Sequence, residues 1–373
     1  MNILILNWRD IKNPKSGGAE VLTYEVAKRW VKMGHRVTWF SSYFFGAKKE
    51  EILDGVRIIR VGHPDARFLF SSVHFLAYKH YKENENNIDA VIDEVHGLPF
   101  FTSLYVKKKK VILICEVADN LWIKMFGPIF GSIGRMLENI YLRFMYKNVP
   151  YLTISNSTKE ELVKNGVNPQ NITVLPMGIT VPKKIKKVEK EKNPTLIFVG
   201  RISKSKGIED AIKVLKEILM KIPDARLWII GSGDTEYKIY LEKMAKRLKV
   251  FDKIIFWGFV SNEKKFELMG KAHILVVPSV KEGWGLIVPE AAFVGTPSIV
   301  YDVLGLRDIV VNGVNGIIVK KNTPIEIKEE TIKILEDRGL YEKLRTNAKI
   351  SSLTYNWNNT AKVALNVLKE AKN

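Results

Sequence analysis

The chain has 373 residues, 46% of them hydrophobic and 27% charged, with 59 Lys and Arg against 40 Asp and Glu. That much apolar material excludes wholesale disorder, and the length fits two domains of ordinary size or one large one. No apolar run reaches the ~18 residues of a membrane span, and one cysteine, Cys115, excludes an internal disulfide or a cysteine-built zinc site. A reducing cytosol is therefore the expected compartment. The formal charge of +19 favours an anionic partner, be it nucleic acid, a phosphate-bearing substrate or an acidic membrane face. A lysine-rich, well-solvated surface gives the same excess.

In chain order, residues 3–6 form a compact apolar run that reads as a first strand and not as a signal peptide. Residues 21–31 have helical spacing, and 37–40, 91–92 and 111–114 read as short buried strands. Apolar runs separated by amphipathic helices predict a parallel sheet covered on both faces. The texture changes at MGITVPKKIKKVEKEKNP, residues 177–194, which is linker chemistry: soluble, self-repelling and rich in lysine. Beyond it the pattern restarts. Strands are predicted over 195–199, 226–230, 253–257, 273–278 and 297–301, and helices over 208–222, 237–248, 263–269 and 289–294. The expected architecture is two doubly wound α/β domains, 1–178 and 194–355, joined by a lysine-rich hinge over 179–193. Ligands of such sheets sit at the carboxyl ends of the strands, so a cleft between the two domains is the expected site.

Three segments carry candidate chemistry. Lys15-Ser16-Gly17-Gly18-Ala19-Glu20 follows the first strand after a loop and opens a helix, so it reads either as a phosphate cradle or as a plain glycine turn. It is neither G-x-G-x-x-G nor a Walker loop, which disfavours a nicotinamide dehydrogenase or a P-loop ATPase. Gly200-Arg201-Ile202-Ser203-Lys204-Ser205-Lys206-Gly207 lies between a predicted strand and a helix. Two cations at a strand end suit a pyrophosphate, and a solvated basic loop is the other reading. The sharpest segment is Pro278-Ser279-Val280-Lys281-Glu282-Gly283-Trp284-Gly285-Leu286-Ile287-Val288-Pro289-Glu290. Glycines free backbone N–H groups for a polyhydroxyl ligand, and carboxylates accept sugar hydroxyls in pairs. One glutamate would then hold a hexose and the other a ribose.

Together these residues resemble the retaining glycosyltransferases of GT-B architecture, specifically family four. The resemblance rests on G-G-A-E near the start, R-x4-K after the linker, and E-G-W-G-L-x3-E with its E-x7-E spacing, and it runs nearly end to end. It includes Ser155-Asn156-Ser157-Thr158 with Leu162, and Val174-Leu175-Pro176-Met177-Gly178-Ile179 at the entry to the second domain. Trp284 stands where many members carry Phe. The resemblance implies that Arg201 and Lys206 neutralise the donor diphosphate, and that Gly17 and Gly18 close on the same phosphates. It implies that Glu290 holds the ribose, and that Glu282 with the backbone of residues 283–286 holds the transferred sugar. Phe259, in Gly258-Phe259-Val260, falls in the base-recognition loop. His96, in Asp93-Glu94-Val95-His96-Gly97, falls near the sugar, and Glu116 and Asp119 line the acceptor side. A final helix at about 356–373 is expected to pack back on the first domain.

The expected activity is transfer of a hexose-type sugar from a nucleoside-diphosphate donor to a glycan or lipid-linked acceptor. The resemblance implies no cofactor and no required divalent metal, and the sequence agrees: there is no D-x-D motif in a plausible donor loop, and Arg201 with Lys206 can replace the cation. Lys107 to Lys110, the aromatic stretches around Trp122, Phe126 and Phe130, and then Arg135, Arg143 and Lys147 suit an anionic membrane surface, or an ordinary amphipathic helix packed on the domain. Peripheral placement on the cytoplasmic membrane face follows from the first reading. The alternatives are a nucleotide-sugar epimerase or phosphorylase of the same layout, and a basic nucleic-acid-binding protein. The last is not expected, since stacking aromatics on a small sheet module and zinc-finger spacing are both missing.

Overall fold

The computed structural model describes residues 1–62, 72–185 and 188–372. The chain divides into two compact units, Met1–Gly178 with Asn356–Asn373, and Ile179–Tyr355.

The first unit runs β1 (Asn2–Leu6), α1 (Gly18–Lys32), β2 (Arg36–Ser42), β3 (Glu50–Leu53), β4 (Val56–Val61), α2 (Val73–Asn84) and β5 (Ala90–Val95). It continues α3 (Thr102–Tyr105), β6 (Lys109–Ile114), α4 (Asn120–Ile140), β7 (Tyr151–Thr153), α5 (Asn156–Lys164) and β8 (Ile172–Val174). The sheet order is β3-β4-β2-β1-β5-β6-β7-β8, parallel except where β3 meets β4. The β3–β4 hairpin is a departure from the sequence expectation. EEIL at the edge alternates exposed and half-buried, VRIIRV beside it turns Val56, Ile58 and Arg60 inward, and the charges hid the pattern.

The second unit runs β9 (Thr195–Val199), α6 (Ile208–Leu219), β10 (Arg226–Ile230), α7 (Thr235–Arg247), β11 (Ile254–Gly258), α8 (Asn262–Lys271) and β12 (Ile274–Val277). It ends with α9 (Ile287–Phe293), β13 (Ser298–Tyr301), α10 (Leu306–Ile309), β14 (Gly316–Val319), α11 (Pro324–Glu336) and α12 (Arg338–Ser352). Its six strands are all parallel in the order β11-β10-β9-β12-β13-β14, the doubly wound Rossmann-like order. The runs TLIFV and ILVV of β9 and β12 are buried throughout, as strands covered by helices on both faces must be. The short helix begins at Ile287 and not at Pro289, so Pro289 sits inside its first turn, where a missing N–H costs nothing.

The last helix, α13 (Trp357–Glu370), belongs to the first unit. Trp30 Nε1 donates to the Ala361 carbonyl at 2.8 Å, and Gly178 is small because the Trp357 ring leaves no room for a Cβ, which would lie 2.4 Å from it. The basic run at 107–110 is partly structural: Lys109 and Lys110 open β6, and Lys109 Nζ donates to the Lys369 carbonyl.

The lysine-rich segment is less free than its composition predicts; Lys186 and Lys187 lie outside the described residues. Lys190 is half-buried, its Nζ donating to the Ala272 carbonyl at 2.5 Å and to Thr296 Oγ1 at 2.8 Å, and Glu191 N–H donates to the Lys271 carbonyl at 2.9 Å. Burial, helped by Arg345, lowers the Lys190 ammonium from its ordinary 10.5 to about 7. Between those values the unfolded chain holds a proton that the folded chain sheds, so stability rises with pH across that window. Lys190→Met is expected to flatten the difference in melting temperature between pH 7 and pH 9 relative to the parent; an unchanged difference would show Lys190 to be charged when folded.

Candidate active site

In the second unit the chain winds outward from β9 in one direction and from β12 in the other. Loops leaving neighbouring strands at such a reversal separate and open a crevice. The loop after β9 is residues 200–206, and the loop after β12 is 278–286. The expected cationic and acidic segments therefore share one switch point.

The two loops are fastened together. Val280 N–H donates to the Ser205 carbonyl at 3.0 Å. Gly207 has φ 69°, and a Cβ there would lie 1.9 Å from the Pro278 carbonyl oxygen, so only glycine fits. Lys206 Nζ rests 2.5 Å from Glu282 Oε1, and Ser279 Oγ donates to the same oxygen at 3.0 Å. Both partners are largely shielded, with side chains 21% and 11% exposed, so the attraction is screened far less than in a surface pair. Arg201 is exposed at the same strand end and makes no ion pair among the described residues. The loop after β10 completes the floor: Cβ atoms on Gly231 and Gly233 would meet the Gly200 and Ile202 carbonyl oxygens at 1.9 and 2.2 Å.

Glu290 does not join the Lys206 pair. It is buried in the first turn of α9, where desolvation raises its carboxyl above the ordinary value, and Lys265 of α8 opposes that rise with Nζ at 2.7 Å from Oε2. Trp284 is buried, edge-on to Tyr355 at 5.2 Å, so its backbone and not its indole is offered to a ligand. Gly285 takes φ 89° with Leu306 where a Cβ would point, and a Cβ on Gly305 would come within 2.5 Å of the Glu282 carbonyl. Gly283 and Leu286 are half-buried in the same loop. Phe259 is 83% exposed beyond the end of β11, after Gly258, whose carbonyl accepts from Gly231 N–H at 2.8 Å.

The first unit has its own reversal, between β1 and β5. His96 follows β5, with Nε2 3.2 Å from Glu94 Oε1, and its ring stacks on Trp8 at 6.3 Å. Glu94 is buried, its carboxyl raised by desolvation, and Thr23 Oγ1 of α1 donates to its other oxygen at 2.6 Å. Gly17 precedes α1. Its N–H donates to Glu20 Oε2 at 2.6 Å, so a phosphate contact from Gly17 requires that carboxylate to yield; Gly18 is exposed. Glu116 is half-buried after β6. Asp119 adopts φ 39° and pairs with Arg135 at 2.7 Å, while buried Glu138 accepts the N–H groups of Ala118 and Asp119 at 2.9 and 2.7 Å.

Sequence reasoning missed Lys265, Ser279 and the glycines at 231, 233 and 305. Ser261 caps α8 and signals the helix, but helical spacing alone does not tell which of Lys264 and Lys265 turns toward Glu290; Lys264 lies over the Trp257 ring at 5.4 Å instead.

The class follows from two Rossmann-like units with loop motifs at their switch points. A family model described as Glycosyltransferase Family 4 matches residues 16–181, and one described as Glycosyl transferases group 1 matches residues 181–351. The chain belongs to the GT-B glycosyltransferases. An uncharacterized glycosyltransferase of Methanocaldococcus jannaschii is 29% identical, over 95% of each chain. Sucrose-phosphate synthase from Thermosynechococcus elongatus shares the fold with a TM-score of 0.83 at 18% identity, over 99% of this chain and 98% of that one. HepE from Anabaena, solved with UDP and glucose, does so with a TM-score of 0.76 at 15% identity, over 99% of each.

Proposed function

We propose that this glycosyltransferase moves a hexose-type sugar from a nucleoside-diphosphate donor to a glycan or lipid-linked acceptor, with retention at the anomeric carbon and no resident metal. The observation that carries the reading is the Lys206–Glu282 pair at adjoining ends of β9 and β12. Breaking the bond from C1 to the phosphate oxygen builds negative charge on the diphosphate and positive charge on C1. Lys206 and Arg201 answer the first charge, the larger electrostatic demand of the reaction. Glu282 accepts sugar hydroxyls and turns its negative charge toward the developing cation. A nucleoside diphosphate drawing Lys206 onto its phosphates frees Glu282 Oε1 for the sugar, so donor binding prepares both groups at once. The acceptor hydroxyl attacks from the face the phosphate leaves, its oxygen bonding to C1 as its proton passes to the departing phosphate oxygen. His96 is assigned to the transferred sugar, and Glu116 and Asp119 to the acceptor. The enzyme works at the cytoplasmic face of a membrane.

The test is incubation with a panel of nucleotide sugars, including UDP-glucose and GDP-mannose, and lipid-linked or oligosaccharide acceptors, in buffer containing EDTA. A product whose anomeric configuration by NMR equals that of the donor supports the reading. An inverted product, an epimerised donor without transfer, a trapped covalent glycosyl-enzyme or abolition by EDTA each removes its corresponding part.

Lys265 bears on the ribose. Buried Glu290 accepts hydroxyls best when ionised, and Lys265 favours that form. Lys265→Met is expected to weaken UDP binding about tenfold near neutral pH, the scale of one charge-assisted hydrogen bond. Binding recovers as pH rises and Glu290 ionises, and Lys265→Arg restores it. A nucleotide lacking the ribose hydroxyls should be unaffected; equal losses for both ligands by calorimetry would detach Lys265 from the ribose.

A further inference from the structure

The α4 helix is folded on itself. Gly127 has φ 77° and ψ 175°, followed by Pro128, and helical geometry stops and restarts there. Residues eight apart in a continuous helix are ~12 Å from one another. Here a Cβ on Gly131 would fall 2.4 Å from Ile123 Cα, and one on Gly134 would fall 2.5 Å from the Trp122 ring. The two limbs therefore lie against each other as a hairpin, and the small residues Gly131 and Gly134 permit the close approach. Glu138 locks the base, accepting Trp122 Nε1 at 3.2 Å besides the Ala118 and Asp119 N–H groups.

The turn of this hairpin is apolar and uncovered. Met125 is 69% exposed, Ile129 and Phe130 are 73% exposed, and Phe126 is 51% exposed. Contiguous exposed apolar surface of this kind marks an interaction site. Its charge is one-sided. Between residues 119 and 147 the acidic side chains are Asp119, paired with Arg135, and buried Glu138. Lys124, Arg143 and Lys147 are exposed, with no ion pair among the described residues. A pocket of about 380 Å3 beside the longer limb has both Arg135 and Arg143 in its wall, with Asn139, Met136 and Phe144. No helix of the described residues is long and apolar enough to cross a membrane.

We propose that the α4 hairpin is a wedge for an anionic lipid leaflet. Met125, Phe126, Ile129 and Phe130 enter the acyl boundary, where interfacial helices bury their apolar face to a depth of ~5–10 Å. Lys124 meets lipid phosphates beside the wedge, and the arginine-walled pocket along the longer limb receives a lipid headgroup. This rests on the lipid-linked acceptor reading and names the surface on which such an acceptor is met. A sheltering protein partner would be expected to answer the arginines with carboxylates; a leaflet answers them with phosphate and needs no matching shape.

The test is flotation of the full chain with vesicles of phosphatidylcholine alone or with 30% phosphatidylglycerol, without donor. Binding to the anionic vesicles that weakens with salt is expected, with at least tenfold loss in Phe126→Ser/Phe130→Ser. Cys115 is buried, so Phe130→Cys can be labelled selectively with an environment-sensitive fluorophore, whose emission should shift to the blue on anionic vesicles. Failure to float, a fluorophore that stays wet, or self-association through the hairpin by sedimentation velocity would overturn the wedge. Turnover of a nucleotide sugar with a soluble acceptor is measured in parallel. Turnover without flotation sinks the wedge alone, and flotation without turnover sinks the proposed chemistry alone.

Discussion

Glu282→Ala is expected to lower sugar transfer about 10- to 150-fold while leaving UDP affinity nearly unchanged, the range set by loss of one or two hydrogen bonds to a charged group. The reason is the geometry of the free enzyme, in which Glu282 faces Lys206 and Ser279. Removing the carboxylate releases the lysine, so the phosphates lose nothing and the sugar loses its anchor. Calorimetry with UDP and single-turnover rates with the donor separate the two. A collapse in UDP affinity would assign Glu282 to the nucleotide instead.

Lys206→Met should do the converse and more. It removes the charge that meets the leaving diphosphate and strands Glu282 without a counter-ion. The rate is expected to fall about 10²- to 10³-fold, the scale seen when one preorganised donor to a developing anion is lost. If Lys206 meets the phosphate farther from the ribose, UDP should bind more weakly while UMP binding changes little. Lys206→Arg is not expected to rescue fully, since a planar fork does not replace a point charge on a short loop. Equal losses for UDP and UMP would move Lys206 to the phosphate next to the ribose, and no loss for either would move it away from the diphosphate.

The second unit was more legible than the first. Its strands are buried on both faces, so TLIFV, RLWII and ILVV stand out as unbroken apolar runs, and its loops follow them directly. The β3–β4 hairpin was hidden because an edge carries Glu50, Glu51, Arg57 and Arg60 among its apolar residues; Arg60 is buried on Asp10 with Nε 2.6 Å from Oδ2. The Lys206–Glu282 proximity followed from strand ends at a switch point, but the Lys265–Glu290 pair needed coordinates, because 25 residues and the whole of β12 separate the partners. Composition misjudged Lys190, since one lysine among many gives no sign that it turns inward. The fold-back of α4 was written in Gly127-Pro128, which was read as part of an aromatic stretch and not as a turn.

The glycine contacts among the loops after β9, β10 and β12 have a consequence for anyone redesigning sugar choice. Gly207 lies under the Pro278 carbonyl, Gly231 under that of Gly200, and Gly233 under that of Ile202, each too close for a methyl group. These segments are cast as one piece, so a transplant that swaps a single strand-end loop from a cousin enzyme brings the wrong mate to every contact. Grafts should carry 200–207, 231–233 and 278–286 as one cassette.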